Sequence, residues 1–288
     1  MAFDPQNIVA QLDKKADVKK LLRIVNKLDI DGRAILLSAI GTNLTQFEKT
    51  QVITKIKTTA SVADAGVRDW LVQGITASYV AGMNQTVKNL KAIKFKAPIG
   101  SPKLTQITVE MLSTVPSMQP HLEAVNTLLS EAYLDFGSTM TNYTKGAERI
   151  MNDTAKRQIR ASIAEGRLEG SSVRAIKKTV VKVFEKQGFT VLVDKGGRKW
   201  SLEAYTNMLT RTQLIKANNE GVINRASDFD VDIVEISSHG TICSICGKQE
   251  GKIYSISGKS KEFPPLSGNE PPYHPNCKHT LLMRPDLK

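Results

Sequence analysis

The sequence is poor in aromatic residues: Phe, Trp and Tyr make up 6% of its 288 positions. Cysteine and histidine are scarcer still, at three and four copies. No apolar run approaches the eighteen or so residues of a membrane span, so no transmembrane helix is expected. Met1-Ala2-Phe3-Asp4 does not open a signal peptide. Three cysteines confined to one segment, Cys243 to Cys277, argue against a secreted disulfide scaffold, and the expectation is a soluble protein made in a reducing cytoplasm. Acidic residues are also in deficit, 28 against 40 basic, for a net charge of +12. Such a surplus suits a polyanion such as nucleic acid, or simple solubility. With 41% apolar residues the chain can bury a sizeable core, as two domains or as one with a helical appendage.

What the sequence does have is a cluster near its end, S-S-H-G-T-I-C-S-I-C-G followed by P-P-Y-H-P-N-C-K-H, over Ser237 to His279. All three cysteines (Cys243, Cys246, Cys277) lie there, with His239, His274 and His279. C-x-x-C, about thirty residues, then H-x-x-C-x-H is metal-ligand spacing, and thiolate with imidazole is the donor set a tetrahedral zinc prefers. Cys243, Cys246 and Cys277 are the core of the expected site, with either His274 or His279 as fourth ligand. The connecting residues are rich in Gly, Ser, Lys and Pro, too polar to close on a core of their own. Tying both ends to one structural ion offsets the cost of ordering them.

Upstream, helical periodicity prevails. Val18, Leu21, Leu22, Val25 and Leu28 form one face, with a break expected at Asp31-Gly32. A second helix is expected over Thr45–Ala60, with Phe47, Val52, Ile53 and Ile56 buried. A third covers Val67–Ile93, with Trp70, Leu71, Ile75, Tyr79, Met83, Val87 and Leu90 as core; its Gly74 and Gly82 mark close packing or a kink. Ala97-Pro98-Ile99-Gly100-Ser101-Pro102 begins an irregular stretch through Pro120. Helix returns from His121, read as a capping or surface residue, and again over Thr144–Glu165. Ser171-Ser172 then caps a helix with Val173, Ile176, Val180, Val183 and Phe184 on one face and Gly188 at its end. Between Lys145 and Lys199 there are fourteen basic and six acidic residues. Arg174, Lys177, Lys178 and Lys182 lie opposite the apolar stripe, as a solvated face or a contact for double-stranded DNA. A hairpin is expected at 189–200, a helix capped by Ser201 over Leu202–Ala226, and a strand at Val231–Ile236.

The expected fold class is α+β, predominantly helical: a long helical N-terminal region followed by a small α+β C-terminal domain closed by a zinc-type loop. The expected divisions are residues 1–96, helical; 97–120, an irregular linker; 121–188, basic and helical; and 189–288, the α+β domain.

The order of these pieces resembles the C-terminal domain of the minor head proteins of tailed phages. These are the head-morphogenesis proteins typified by the F protein of phage Mu and the related minor capsid protein 2 group. Arg211, Thr212 and Asn218 on a helix carry the likeness, with Cys243, Cys246, the Gly251-Lys252-Ile253-Tyr254-Ser255 turn, Pro271-Pro272 and His274-Pro275-Asn276-Cys277-Lys278-His279. Ile75–Gly82 and Ile163–Gly170 are similar to the family's upstream part, and the first sixty residues show no likeness. Many head-morphogenesis relatives end H-P-N-C-R-C, whereas His279 takes the last place here, as in the minor capsid protein 2 pattern. The resemblance implies a virion protein inside the head at the portal vertex, assembled in the host cytoplasm. Its implied partners are the portal protein, capsid or scaffolding protein and non-specifically bound DNA. Its implied role lies in head assembly and in genome packaging or ejection, with no catalytic residue. Arg211, Thr212 and Asn218 are expected to hold their helix to the zinc loop. The enzyme alternative is a zinc-stabilised nuclease using His239 or His274; a DNA-binding module is a third reading.

Overall fold

The computed structural model describes residues 17–40, 44–169, 172–187, 189, 191–193 and 197–287. Within its helices and strands, the side chains of residues 153, 154, 156, 167, 173, 174, 176, 177, 191 and 193 lie outside that description. The described elements are α1 (Val18–Ile40), α2 (Gln46–Ala92), α3 (Val109–Thr114), a 3-10 turn (Pro116–Met118), α4 (Gln119–Met151), α5 (Asp153–Leu168), α6 (Val173–Lys186), β1 (Val191–Val193), β2 (Lys199–Ser201), α7 (Leu202–Ser227), β3 (Ile233–Ile236), a second 3-10 turn (Gly247–Gln249), β4 (Ile253–Ser255) and β5 (Leu281–Met283). The chain is predominantly helical, with a small antiparallel sheet near its end.

The helix starts follow local chemistry. Thr45 and Glu48 form a reciprocal capping box: the Glu48 N–H donates to Thr45 Oγ1 at 3.2 Å and the Thr45 N–H to Glu48 Oε2 at 2.7 Å. Ser172 and Ser201 cap α6 and α7 by accepting from the amides of Ala175 and Ala204.

Several expected breaks are absent. Helix α1 runs through Asp31-Gly32, where Lys27–Asp31 and Arg33–Asp29 ion pairs support the turn. Glycine is needed there for space, since a Cβ on Gly32 would overlap the Tyr143 hydroxyl. The two helices expected over 45–93 are one, because Ala60-Ser61-Val62-Ala63-Asp64-Ala65 contains no breaker and Arg68 pairs with Asp64 at 2.7 Å. Phe47, expected in the core, is 70% exposed in the first turn. The stretch taken as irregular contains α3, capped by Thr108. Helix α4 continues past Thr144 to Met151. Gly188 and the Asp194-Lys195-Gly196 turn lie outside the described residues.

The chain divides into two compact units that interleave along the sequence. One comprises Lys19–Asp69 and Tyr133–Asn207. Its core includes Tyr143, whose hydroxyl donates to the Leu28 carbonyl at 3.0 Å and whose ring lies 4.6 Å from that of Phe189. The β1–β2 hairpin pairs Leu192 with Trp200 in this unit.

Among the described residues, the other unit comprises 17–18, Trp70–Ala132 and 208–287. Here α2 and α7 cross at two glycines. A Cβ on Gly82 would fall well under 3.0 Å from the Asn218 carbonyl oxygen, and one on Gly221 equally close to that of Tyr79. Only glycine lets the two backbones approach this far. Asn218 donates to the Ser78 carbonyl across the same crossing at 3.3 Å.

Beside it runs a buried polar chain that corrects the surface reading of His121, which is 3% exposed. Asn224 donates to the Tyr79 hydroxyl (2.8 Å), which meets His121 Nδ1 (2.9 Å). His121 Nε2 donates to Asp228 (3.0 Å), which also accepts from the fully buried Arg225 (2.7 Å). Burial works against the Asp228 carboxylate, but His121 and Arg225 outweigh it and hold its pKa below the ordinary value. Asn84 pairs with both backbone groups of Ile107, as a strand neighbour would, and so ties the 97–120 segment to α2.

The sheet has the order β4-β3-β5, all antiparallel, with Val234 opposite both Tyr254 and Met283. One face packs on Leu90, Val222, Ala226, Phe229 and Leu266, which joins sheet and helices into a single core. The connection from β4 to β5, residues 256–280, carries the second half of the Cys/His cluster.

Candidate metal centre

Strand β3 delivers the chain into the first half of the cluster. Beyond Ile236, Ser237 pairs with Thr280: its N–H donates to the Thr280 carbonyl, and its hydroxyl accepts from the Thr280 N–H, both at 2.9 Å. The two halves thus start from adjacent strand ends. In the C-x-x-C-G turn, the Gly247 N–H donates to the Cys243 carbonyl (2.9 Å), and a Cβ on Gly247 would meet the Thr241 carbonyl. In H-P-N-C, Asn276 takes a left-handed conformation (φ 62°) that asparagine tolerates well, and the Cys277 N–H closes back on the His274 carbonyl (3.0 Å).

Two groups of donors result. Cys243, Cys246 and His274 have ligand atoms within 4.8 Å of one another, and so do Cys246, Cys277 and His279. Cys246 belongs to both. His274 Nε2 lies 3.4 Å from Cys243 Sγ and 3.1 Å from Cys246 Sγ, while His279 Nδ1 lies 3.3 Å from Cys277 Sγ. A tetrahedral ion with bonds of about 2.3 Å to sulfur and 2.0 Å to nitrogen sets S···N edges of about 3.5 Å, close to these separations. Each ring keeps one nitrogen for the sulfurs. His274 Nδ1–H donates to the Pro275 carbonyl (2.8 Å), and His279 Nε2–H to Glu250 Oε1 (3.1 Å).

The sulfurs differ in character. The backbone N–H groups of Cys246 and Ile245 point at Cys243 Sγ and bring its pKa down to about 7. Burial, then the neighbouring Cys243 sulfur, pushes Cys246 up to about 12. Crowded thiols of this kind ionise together only beside a cation, so the donor chemistry fits a metal ion.

Glu250 organises the first half from behind. Its Oε1 accepts from the amides of His239 (2.9 Å) and Thr241 (3.2 Å), and Oε2 from that of Gly240 (3.1 Å). Burial opposes this carboxylate, but those amides and the His279 ring outweigh it and keep its pKa below the ordinary value. His239 bonds the Ser237 hydroxyl (3.0 Å) and stacks edge-on against His279. Burial first and His279 second hold its pKa down.

Two of the helix residues expected to hold the loop, Asn218 and Thr212, make their side-chain hydrogen bonds elsewhere. Asn218 reaches α2, and the Thr212 hydroxyl donates to Met208 of its own helix; Arg211 is half-buried on α7. Asn219 bonds the loop: it donates to the carbonyls of Pro271 (3.2 Å) and His279 (3.4 Å) and accepts from the Leu281 N–H (3.0 Å). Neither Asn219 nor Glu250 stood out in the sequence. Of the expected DNA-contact residues, Lys178 and Lys182 are exposed on α6, and the side chains of Arg174 and Lys177 lie outside the described residues.

The profile of the family described as phage minor capsid protein 2 matches residues 85–283, which take in most of the unit that holds this cluster. The chain belongs to that phage minor capsid protein family. A further relative, named "Structural protein", comes from Lactococcus phage LL-H and is 33% identical over 64 residues. That stretch covers 22% of this chain and 17% of the relative. No solved structure matches. Family membership gives this minor capsid protein a structural role in a phage particle. The family match begins inside α2 and leaves α1 outside it.

Proposed function

We propose that this chain is a minor head protein of a tailed phage, bound to the portal inside the head. There it aids capsid assembly and the packaging or ejection of the genome. Its Cys/His cluster holds a structural zinc through Cys243, Cys246, Cys277 and one of His274 and His279. The observation that carries the structural reading is the closure of the cluster. Cys246, Cys277 and His279 are buried, and Glu250, the carboxylate that touches it among the described residues, is already engaged by three amides and a ring N–H. Among the described residues no acidic pair joins the histidines in a further metal-holding group that could take a second, water-activating ion. Zinc analysis of the purified protein, with co-purification of the portal protein, tests this reading. Metal-dependent plasmid nicking that disappears in Cys243→Ser and in His239→Ala would overturn it in favour of a nuclease.

Non-specific contact with packaged DNA is the second part of the proposal. The excess of basic residues between Lys145 and Lys199 supports it, as does the exposure of Lys178 and Lys182. Reversing both lysines to Glu should weaken binding to duplex DNA and lower the slope of log affinity against log salt by about 2, without unfolding α6. An unchanged salt titration removes the DNA contact from the proposal.

A further inference from the structure

We propose that His279 completes the metal ligand set through Nδ1, and that Glu250 is the positioning residue that holds it there. This rests on the metal reading above and assigns the ligand which that reading leaves open. Glu250 stands four residues after Cys246. Its carboxylate ties down the amides of 239–241, the segment that leads into Cys243, and Thr241 Oγ1 in turn accepts from the Cys243 N–H at 3.2 Å. The same carboxylate takes the Nε2–H of His279, two residues after Cys277. One side chain therefore fixes the approach of both halves of the cluster. It also fixes the His279 tautomer, so that Nδ1 presents its lone pair toward Cys277 and Cys246. Metal-ligating histidines characteristically donate their second ring N–H to such a partner.

His274 is placed differently. Its ring is half-exposed, and its Nδ1 is held by the carbonyl of the next residue, a local contact that moves with the loop. Cys246, Cys277 and His279 are all buried, as the donors of a closed structural site are. Cys243 lies beside Cys246 and His274 in this structure; with His279 as the nitrogen ligand, it leaves His274 and joins the Cys246–Cys277–His279 group as the fourth donor, carried by the turn that Glu250 anchors.

The test titrates Zn2+ into the purified full chain against a chromophoric chelator and repeats the titration with Co2+ to read the ligand field. The unsubstituted protein should bind one ion with a three-sulfur, one-nitrogen spectrum. Glu250→Gln should lower zinc affinity about 10- to 100-fold at unchanged stoichiometry. His279→Cys should keep one tetrahedral ion with four-sulfur charge-transfer intensity. In that background most of the effect of Glu250→Gln should disappear, because the imidazole bond is gone and the Gln carbonyl still accepts from the 239–241 amides. His274→Ala should retain the three-sulfur, one-nitrogen spectrum. The proposal is overturned if His274→Ala loses that spectrum while His279→Cys leaves it unaltered. Equal losses from Glu250→Gln in both backgrounds would also overturn it, and reduce Glu250 to a loop brace. No zinc in the unsubstituted chain would refute the metal reading itself, a result separate from either.

Discussion

The crossing of α2 and α7 makes one substitution act in opposite directions at two places. Glycine inside a helix is about 1 kcal/mol less favourable than alanine, so Gly→Ala in open helical surroundings stabilises. At Gly137 on α4 the nearest atom to a new Cβ would be Arg68 Nη2 at 4.0 Å, so Gly137→Ala should stabilise by up to about 1 kcal/mol. At Gly221 the new methyl would meet the Tyr79 carbonyl, a backbone atom held by its own helix, and relief requires the two helices to separate. Overpacking of a rigid site costs about 1–3 kcal/mol, and loss of the Asn218–Ser78 and Asn224–Tyr79 bonds across the crossing adds about 1 kcal/mol each. Set against the gain in propensity of about 1 kcal/mol, Gly221→Ala should destabilise by about 2–4 kcal/mol, a fall in melting temperature of several degrees for a chain of this size. Urea and thermal unfolding followed by far-ultraviolet circular dichroism read both variants. A Gly221→Ala protein as stable as the parent would refute the close-approach argument, and a destabilised Gly137→Ala would refute the assumption that its surroundings are open.

Asp228→Asn removes the carboxylate facing Arg225, which is fully buried, and should cost about 3 kcal/mol in urea unfolding, since it leaves a buried guanidinium without its counter-ion. The folded Asp228 pKa is depressed, so its stabilisation is present above the ordinary carboxylate pKa of about 4 and is lost as pH falls through the lower folded value. Acid titration of the parent should therefore show a steeper stability loss below about pH 4 than Asp228→Asn shows, since the other depressed carboxylates, such as Glu250, remain in both. Asn219→Ala deletes the bonds to Pro271, His279 and Leu281 and should cost about 2 kcal/mol, with metal released at lower chelator concentration than in the parent. Retention of parental chelator resistance would show that the loop is held without α7.

Where structure followed local pattern, the sequence was readable. Trp70, Leu71, Ile75, Tyr79, Met83, Val87 and Leu90 are buried as the helical period demands, Ser172 and Ser201 cap their helices, and the Cys/His segment folds into two three-donor groups that share Cys246. What was missed depends on partners distant in sequence. Gly32 looks like a breaker until Tyr143 arrives beside it, and His121 looks exposed until Tyr79 and Asp228 enclose it. Asn218 and Asn219 are indistinguishable by type, yet the roughly 100° between successive helix positions turns one toward α2 and the other toward the loop. Glu250 escaped notice because most of its partners are backbone amides, which carry no mark in a sequence.

Strand β5 lies in sequence after every residue of the cluster, yet it pairs with β3 and takes its first anchor from Asn219, 62 residues earlier. Such contacts close long loops and form late, after helices whose bonds are local. Folding of this region should therefore proceed in two stages, a helical scaffold first and the Cys/His loop last. Until Leu281 docks, Cys246 and Cys277, the two thiols that the folded chain buries, stay accessible to alkylating reagents. The rate at which a refolding chain becomes protected from iodoacetamide thus times the completion of the sheet, rather than the formation of the helices.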